Sequence, residues 1–256
     1  MKTRAIVYWV LWGLATSAPA WSQQPDSPTA RAAALEVRWT PSAEAPAGTL
    51  SHALEGQRHD FFIELAQQGD IDLVFFGTTE AEMWWWSDRG RSVWGREFES
   101  LKAVSFGSQG TQPASLLWRM QNGELDGFRA KLIVLQAGGA DQVTGNSAEL
   151  VTGYSALIDE IRLRQPQAKI LLFAPLPRSG PLQAWQPQAE ARQSLFAALV
   201  DDETVFYTDI GERFFDTDGL FLSATWGLPV NNRGTQTRAY EIWAEAMQPW
   251  LDRFVR

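Results

Sequence analysis

Five short apolar runs, each followed by a stretch of helical character, constrain this chain more than any other feature. They are Ile71–Phe76, Lys102–Phe106, Leu132–Gln136, Lys169–Ala174 and Thr204–Thr208. Runs such as Leu73-Val74-Phe75-Phe76 and Ile170-Leu171-Leu172-Phe173 show no apolar/polar alternation, which is the pattern of strands covered on both faces. Helices are predicted over His59–Gln68, Trp94–Ser100, Pro113–Gln121, Ala148–Arg164 and Pro187–Val200, and Thr235–Phe254 closes the chain. Strands alternating with helices argue for right-handed βαβ units, a five-stranded parallel sheet and a three-layer α/β/α sandwich. In such sheets function collects in the loops beyond the carboxyl ends of the strands. Here those loops begin at Gly77, Gly107, Ala137, Pro175 and Asp209.

Composition narrows the chemistry. The chain has 256 residues, 45% of them hydrophobic, which is enough to bury a full core without covalent staples. It has no cysteine, so disulfides, thiolate nucleophiles, iron–sulfur clusters and cysteine-ligated zinc are excluded. A formal charge of −8 disfavours binding to a nucleic-acid backbone, which needs concentrated positive charge. Only two histidines are present, His52 and His59, so any imidazole base must be one of them. They stand seven residues apart with no evident third ligand, and no metal or other cofactor is expected.

The first twenty residues read as a targeting segment. Lys2 and Arg4 precede an apolar run from Ala5 to Ala15, and Ala18-Pro19-Ala20 offers a small-residue cleavage site, the anatomy of a secretory signal peptide. The run is too short for a membrane span of about 20 residues. Cleavage after Ala20, or alternatively after Ser22, is expected to deliver the protein to a periplasm or the extracellular space. Removing residues 1–20 takes away two basic residues and no acidic ones, so the mature net charge is −10. Residues 21–56 are rich in Ala, Pro, Ser and Thr, with Pro25, Pro28, Pro41 and Pro46 interrupting any long helix, and read as a loosely structured lead-in. A single domain over 57–256 follows.

Three of the carboxyl-end loops carry glycines where a nucleophile and an oxyanion site belong: Gly77-Thr78-Thr79, Gly107-Ser108-Gln109-Gly110 and Gly138-Gly139-Ala140-Asp141. The run Ile71-Asp72-Leu73-Val74-Phe75-Phe76-Gly77 resembles the first block of the SGNH (GDSL-type) hydrolases, especially the branch of the platelet-activating-factor acetylhydrolase catalytic subunits. Three further phrases resemble the same branch. They are Leu116-Leu117-Trp118-Arg119-Met120-Gln121-Asn122-Gly123-Glu124-Leu125, Arg164-Gln165-Pro166-Gln167-Ala168-Lys169-Ile170 and Tyr240-Glu241-Ile242-Trp243-Ala244-Glu245-Ala246-Met247. The likeness runs from about His59 to Leu251.

The resemblance implies a flavodoxin-like sandwich and ester hydrolysis by a serine. A glycine amide and an asparagine side chain would form the oxyanion hole, and an Asp-x-x-His pair would stand before the last helix. Serine is a weak nucleophile until a base takes its proton, and the anionic intermediate needs donors already aimed at it. Carried over position by position, Gly-Asp-Ser becomes Gly77-Thr78-Thr79. The oxyanion glycine survives as Gly110, and the oxyanion asparagine falls on Ala140, which has no donor. Trp226-Gly227-Leu228-Pro229-Val230-Asn231-Asn232-Arg233-Gly234 stands where Asp-x-x-His belongs and contains neither residue. His59 falls on the helix before the first strand, where the resemblance implies packing or capping.

The expectation is therefore a catalytically degenerate hydrolase-like protein whose altered cleft binds a small ester or glycan ligand. The competing expectation is a weak or unconventional carboxylic-ester hydrolase using Thr79, with Asp141 or Glu80 as base. A third is a scaffold that presents a helical face to a protein partner. Candidate ligand contacts are Thr78, Trp84, Trp85, Trp86 and Asp141. Three consecutive tryptophans point in three directions, so some ring surface is expected to remain open for stacking. If Thr79 is not a nucleophile, its hydroxyl is expected to cap the following helix. Asp216-Thr217-Asp218-Gly219 lacks the spacing of a calcium loop and reads as an acidic turn.

Overall fold

A computed structural model describes residues 58–86, 88–108, 113–136, 147–177, 179–222 and 233–256. Five strands form one parallel sheet: β1 (Leu73–Gly77), β2 (Ala103–Gly107), β3 (Leu132–Gln136), β4 (Lys169–Phe173) and β5 (Val205–Thr208). Their spatial order is β2-β1-β3-β4-β5. Every neighbouring pair is parallel, with Gly77 opposite both Gly107 and Gln136 at the carboxyl edge. The first three strands are buried along their whole length, as continuous apolar runs require. The amino edge is fastened by lysines. Lys102 pairs with Asp70, Lys131 lies 3.0 Å from Asp72, and Lys169 donates to the Glu203 carbonyl at 2.9 Å.

Among the described residues, the helices are α1 (58–67), α2 (Thr79–Trp86), α3 (Asp88–Glu97), α4 (Pro113–Arg119), α5 (Ser147–Arg164), α6 (Leu182–Phe196) and α7 (Arg233–Phe254). None is long and apolar enough to cross a membrane. Side chains alternate across the strands and sort the helices into two layers. Phe75 faces Trp84 of α2, Trp94 of α3 and Trp243 of α7, while Phe76 packs on Phe106, which meets Phe62 of α1. At the far edge, Phe206 meets Trp250 of α7, and Tyr207 stacks on Phe196 of α6. The three-layer sandwich expected from the sequence is the observed fold.

Several helix boundaries depart from the sequence reading, among them the start of α3, which lies at Asp88 rather than Trp94. The segment after β1 forms a helix of its own, α2, ahead of α3. The sixth helix begins at Leu182 rather than Pro187, with Pro187 inside it. Proline is favoured in the first turn because its missing N–H is not needed there. Taking Pro187 as the start omitted a helical turn that the chain already makes.

Candidate active site

The helix after β1 sits close over the sheet because the carboxyl edge is paved with glycine. A Cβ on Gly107 would lie 2.1 Å from the Glu82 amide nitrogen, and one on Gly77 would lie 2.8 Å from the Gln136 carbonyl. Neither contact is possible for any larger residue without moving main chain. The β1–β2 edge is also tied directly, with the Ser108 amide donating to the Gly77 carbonyl at 3.1 Å, and β2 is tied to α2 by the Ser105 hydroxyl, which donates to the Ala81 carbonyl at 2.6 Å.

Thr78 and Thr79 occupy the turn this packing creates. Thr78 is buried and stands at the N-cap position of α2, where its carbonyl accepts the first intrahelical bond, from the Glu82 amide at 2.9 Å. Thr79 is therefore not at the cap position expected from the sequence: β1 gives way to α2 after a single turn residue, so Thr79 is already helical and the N-cap position falls on Thr78. The Thr78 hydroxyl donates to Glu80 Oε2 at 2.7 Å. Thr79 is the first helical residue and is partly exposed. Glu80 and Glu82 stand in the first turn of α2, where carboxylates complement the partial positive charge of a helix start. Glu82 also pairs with Arg58 at 2.6 Å, and the Glu80 carbonyl accepts the Tyr240 hydroxyl at 3.0 Å. These contacts fasten α2 to α1 and α7 on either side of the turn.

Trp84 and Trp85 are not the ligand-stacking surfaces the sequence suggested. Trp84 is fully buried, against Trp94, Phe98, Tyr240 and Trp243, and Trp85 is 6% exposed with its edge on Trp94. Successive helical positions do point apart, but α2 is covered on more than one side, by the sheet and α7 and by α3. Two directions therefore both lead into protein. The third tryptophan side chain, Trp86, lies outside the described residues. So do Gly110, Ala140 and Asp141, the segment 223–232, His52, and the leader and lead-in over 1–57.

A buried charge cluster at the β2 side went unrecognised as a unit in the sequence. Glu124 is fully buried and is gripped by Arg119 through two hydrogen bonds of 2.8 Å, while His59 Nδ1 lies 2.8 Å from its Oε1. Since an ionised carboxylate only accepts, Nδ1 carries the imidazole proton in the neutral ring. Arg119 also donates to the Phe106 carbonyl at 2.8 Å, which docks the cluster on β2. The chain returns Glu124 to Arg119 through a turn at Met120–Glu124, in which Gly123 takes φ 112°. The packing role implied for His59 thus includes a specific polar partner. The Asn122-Gly123 pair between an arginine and a glutamate was the available signal.

A five-stranded parallel sheet in the order β2-β1-β3-β4-β5, with helices on both faces and a Gly-Thr-Thr strand-to-helix turn after β1, defines the class: a flavodoxin-like three-layer α/β/α sandwich. The profile of the GDSL-like Lipase/Acylhydrolase family matches residues 65–236. The chain is 30% identical over 165 residues to the platelet-activating factor acetylhydrolase IB subunit alpha2 of Rattus norvegicus, covering 63% of this chain and 69% of that one. It is 28% identical over 165 residues to the human alpha1 subunit, covering 63% and 68%. A solved structure from Streptococcus pneumonia, described as a platelet activating factor, superposes with a TM-score of 0.61 at 15% identity, over 86% of this chain and 99% of the other. The chain belongs to the GDSL-like lipase/acylhydrolase family, within the SGNH hydrolase superfamily.

Proposed function

We propose that this protein is an exported family member that does not hydrolyse esters by the serine mechanism and uses its altered cleft to bind a small ester or glycan ligand of the cell envelope. The observation that carries the proposal is the turn after β1. Thr79 stands at the nucleophile position and Thr78 precedes it, with its hydroxyl engaged by Glu80. Of the two histidines, His59 stands before β1 with Nδ1 held by Glu124, rather than before the last helix. The segment 226–234 supplies neither aspartate nor histidine, and Ala140 offers no oxyanion donor.

The size of the loss follows from general enzymology. Removing one oxyanion donor costs about 10²–10³ in turnover. Without the nucleophile and base unit, binding and the remaining donors leave roughly 10³–10⁴ over water. The unconventional route through Thr79 is weakened by the engagement of Glu80 Oε2 with Thr78. Export rests on Lys2, Arg4 and the apolar run that ends in Ala18-Pro19-Ala20.

Fluorophosphonate labelling read by intact mass tests the chemical half of the proposal, with no adduct expected on the protein or on Thr79→Ser. Stoichiometric labelling mapped to Thr79 would overturn it. Titration with acetylated envelope glycans, read by calorimetry, tests the binding half. Saturable heat that survives Thr79→Ala is expected, and its absence for every such glycan counts against a binding role.

A further inference from the structure

Gln136 ends β3 at the carboxyl edge of the sheet, opposite Gly77, the residue before the Thr78-Thr79 turn. Residues paired across neighbouring strands point to the same side of a sheet, so the Gln136 side chain shares the face on which α2 begins. The two are close. A Cβ on Gly77 would lie 2.9 Å from Ala81 Cβ, in the first turn of α2, and 3.5 Å from Gln136 Cβ. Gln136 thus stands one strand spacing, about 4.8 Å, from the turn that carries Thr79.

Gln136 is 2% exposed, yet half of its amide is unused. Nε2 donates to the Ala174 carbonyl, just past β4, at 3.3 Å, and Oε1 meets no donor among the described residues. A carbonyl accepts and never donates, so the contact with Ala174 fixes which way the amide faces, and the unpartnered atom is the oxygen. A buried acceptor without a donor costs free energy. Methionine has nearly the same length and volume and would avoid that cost. A local rule broken at the carboxyl edge of a parallel sheet, beside the first strand-to-helix turn, marks a position kept for binding rather than for stability.

The chemistry of the free atom selects its partner. Oε1 is uncharged and only accepts. An acyl chain, a carboxylate or a phosphate dianion offers it no donor, and a hard cation needs several oxygens rather than one. A hydroxyl or an amide N–H satisfies it. We infer that Gln136 is a specificity-determining residue of the cleft, whose Oε1 accepts a hydrogen bond from an O–H or N–H of a glycan and so favours sugars over plain acyl esters. The inference rests on the binding role proposed for the cleft and narrows its ligand to a donor-bearing glycan.

Calorimetric titration of the parent and of Gln136→Met with the N-acetylglucosamine tetramer and with its permethylated form tests the assignment. Permethylation keeps the rings and acetyl groups and removes every O–H and N–H. Gln136→Met is expected to bind the tetramer about tenfold more weakly than the parent does, the worth of one hydrogen bond, and to bind the permethylated form no more weakly than the parent does. Its denaturant midpoint is expected to equal or exceed that of the parent. Unchanged affinity for the tetramer, or equal weakening toward both forms, overturns the inference and leaves the binding role standing. A lowered midpoint with unchanged affinity makes Gln136 a structural residue and also overturns it. If the parent binds neither form the inference fails, and the titration with acetylated glycans decides the binding role separately.

Discussion

The two flanks of the turn after β1 are held by opposite means. On the α2, α3 and α7 side, Trp84 sits among Phe75, Trp94, Phe98, Tyr240 and Trp243, an aromatic cluster built on edge and tilted contacts. On the α1 and α4 side, a buried carboxylate, Glu124, binds Arg119 and His59. Aromatic packing gains from area and geometry, whereas a buried ion cluster gains only if every member is satisfied. Neither cluster uses the side chain of Thr78 or Thr79, so the two flanks are held independently of the residues in the turn.

Removing a central member from each flank gives the largest effects. Trp84→Ala is expected to cost about 3–5 kcal/mol, from lost burial plus the cavity left behind. Glu124→Ala is expected to cost a similar amount, about 3–5 kcal/mol, because it leaves Arg119 and His59 buried without their acceptor. Denaturant midpoints at constant slope measure both. The conservative changes separate the two mechanisms. Trp84→Phe should recover much of the aromatic loss, while Glu124→Gln, which keeps the shape but not the charge, should recover little. Full recovery in Glu124→Gln would show that the cluster acts by packing alone.

A smaller effect is expected where the flanks meet. Gly107→Ala places a methyl group on the Glu82 main chain, and the resulting overpacking is expected to cost about 1–3 kcal/mol in the same assay. The smallest effect lies away from the site, at Asp201. Burial pushes its carboxyl up, but the Thr204 hydroxyl and the amides of Val205, Thr204 and Glu203 outweigh this and hold it well below the usual carboxylate range. A lowered folded pKa stabilises the protein above the unfolded value, and that contribution fades as pH falls through the acid range below about 4. Asp201→Ala should therefore lower stability slightly at pH 7 and flatten the acid limb of a stability profile. An acid limb identical to that of the parent would show that these hydrogen bonds contribute nothing in solution.

Much of the frame was legible in the sequence because it depends on local pattern. Continuous apolar runs such as Leu73–Phe76, too short for a helix and rich in β-branched and aromatic residues, read as strands covered on both faces, and they located the sheet to within about two residues, the usual margin for such boundaries. The close approach of α2 at Gly77 and Gly107 was not read from the sequence, where these glycines pointed only to a nucleophile and oxyanion site. What the sequence did not disclose depends on nonlocal geometry. Trp84 and Trp85 are both interior because separate elements cover α2, which no periodicity along α2 records. Arg119 and Glu124 meet only because Gly123 takes a positive φ, and His59 joins them from 65 residues away. In the Gly77-Thr78-Thr79 turn the residues were legible, but the N-cap position falls on Thr78 because the strand-to-helix turn is one residue long.

Turnover of acetyl esters by the purified protein beside its Thr79→Ala variant tests the central claim most directly. The account predicts that the two are indistinguishable from each other and lie near the background of uncatalysed hydrolysis. Turnover well above background that disappears in a folded Thr79→Ala variant would contradict it, and would establish Thr79 as a working nucleophile.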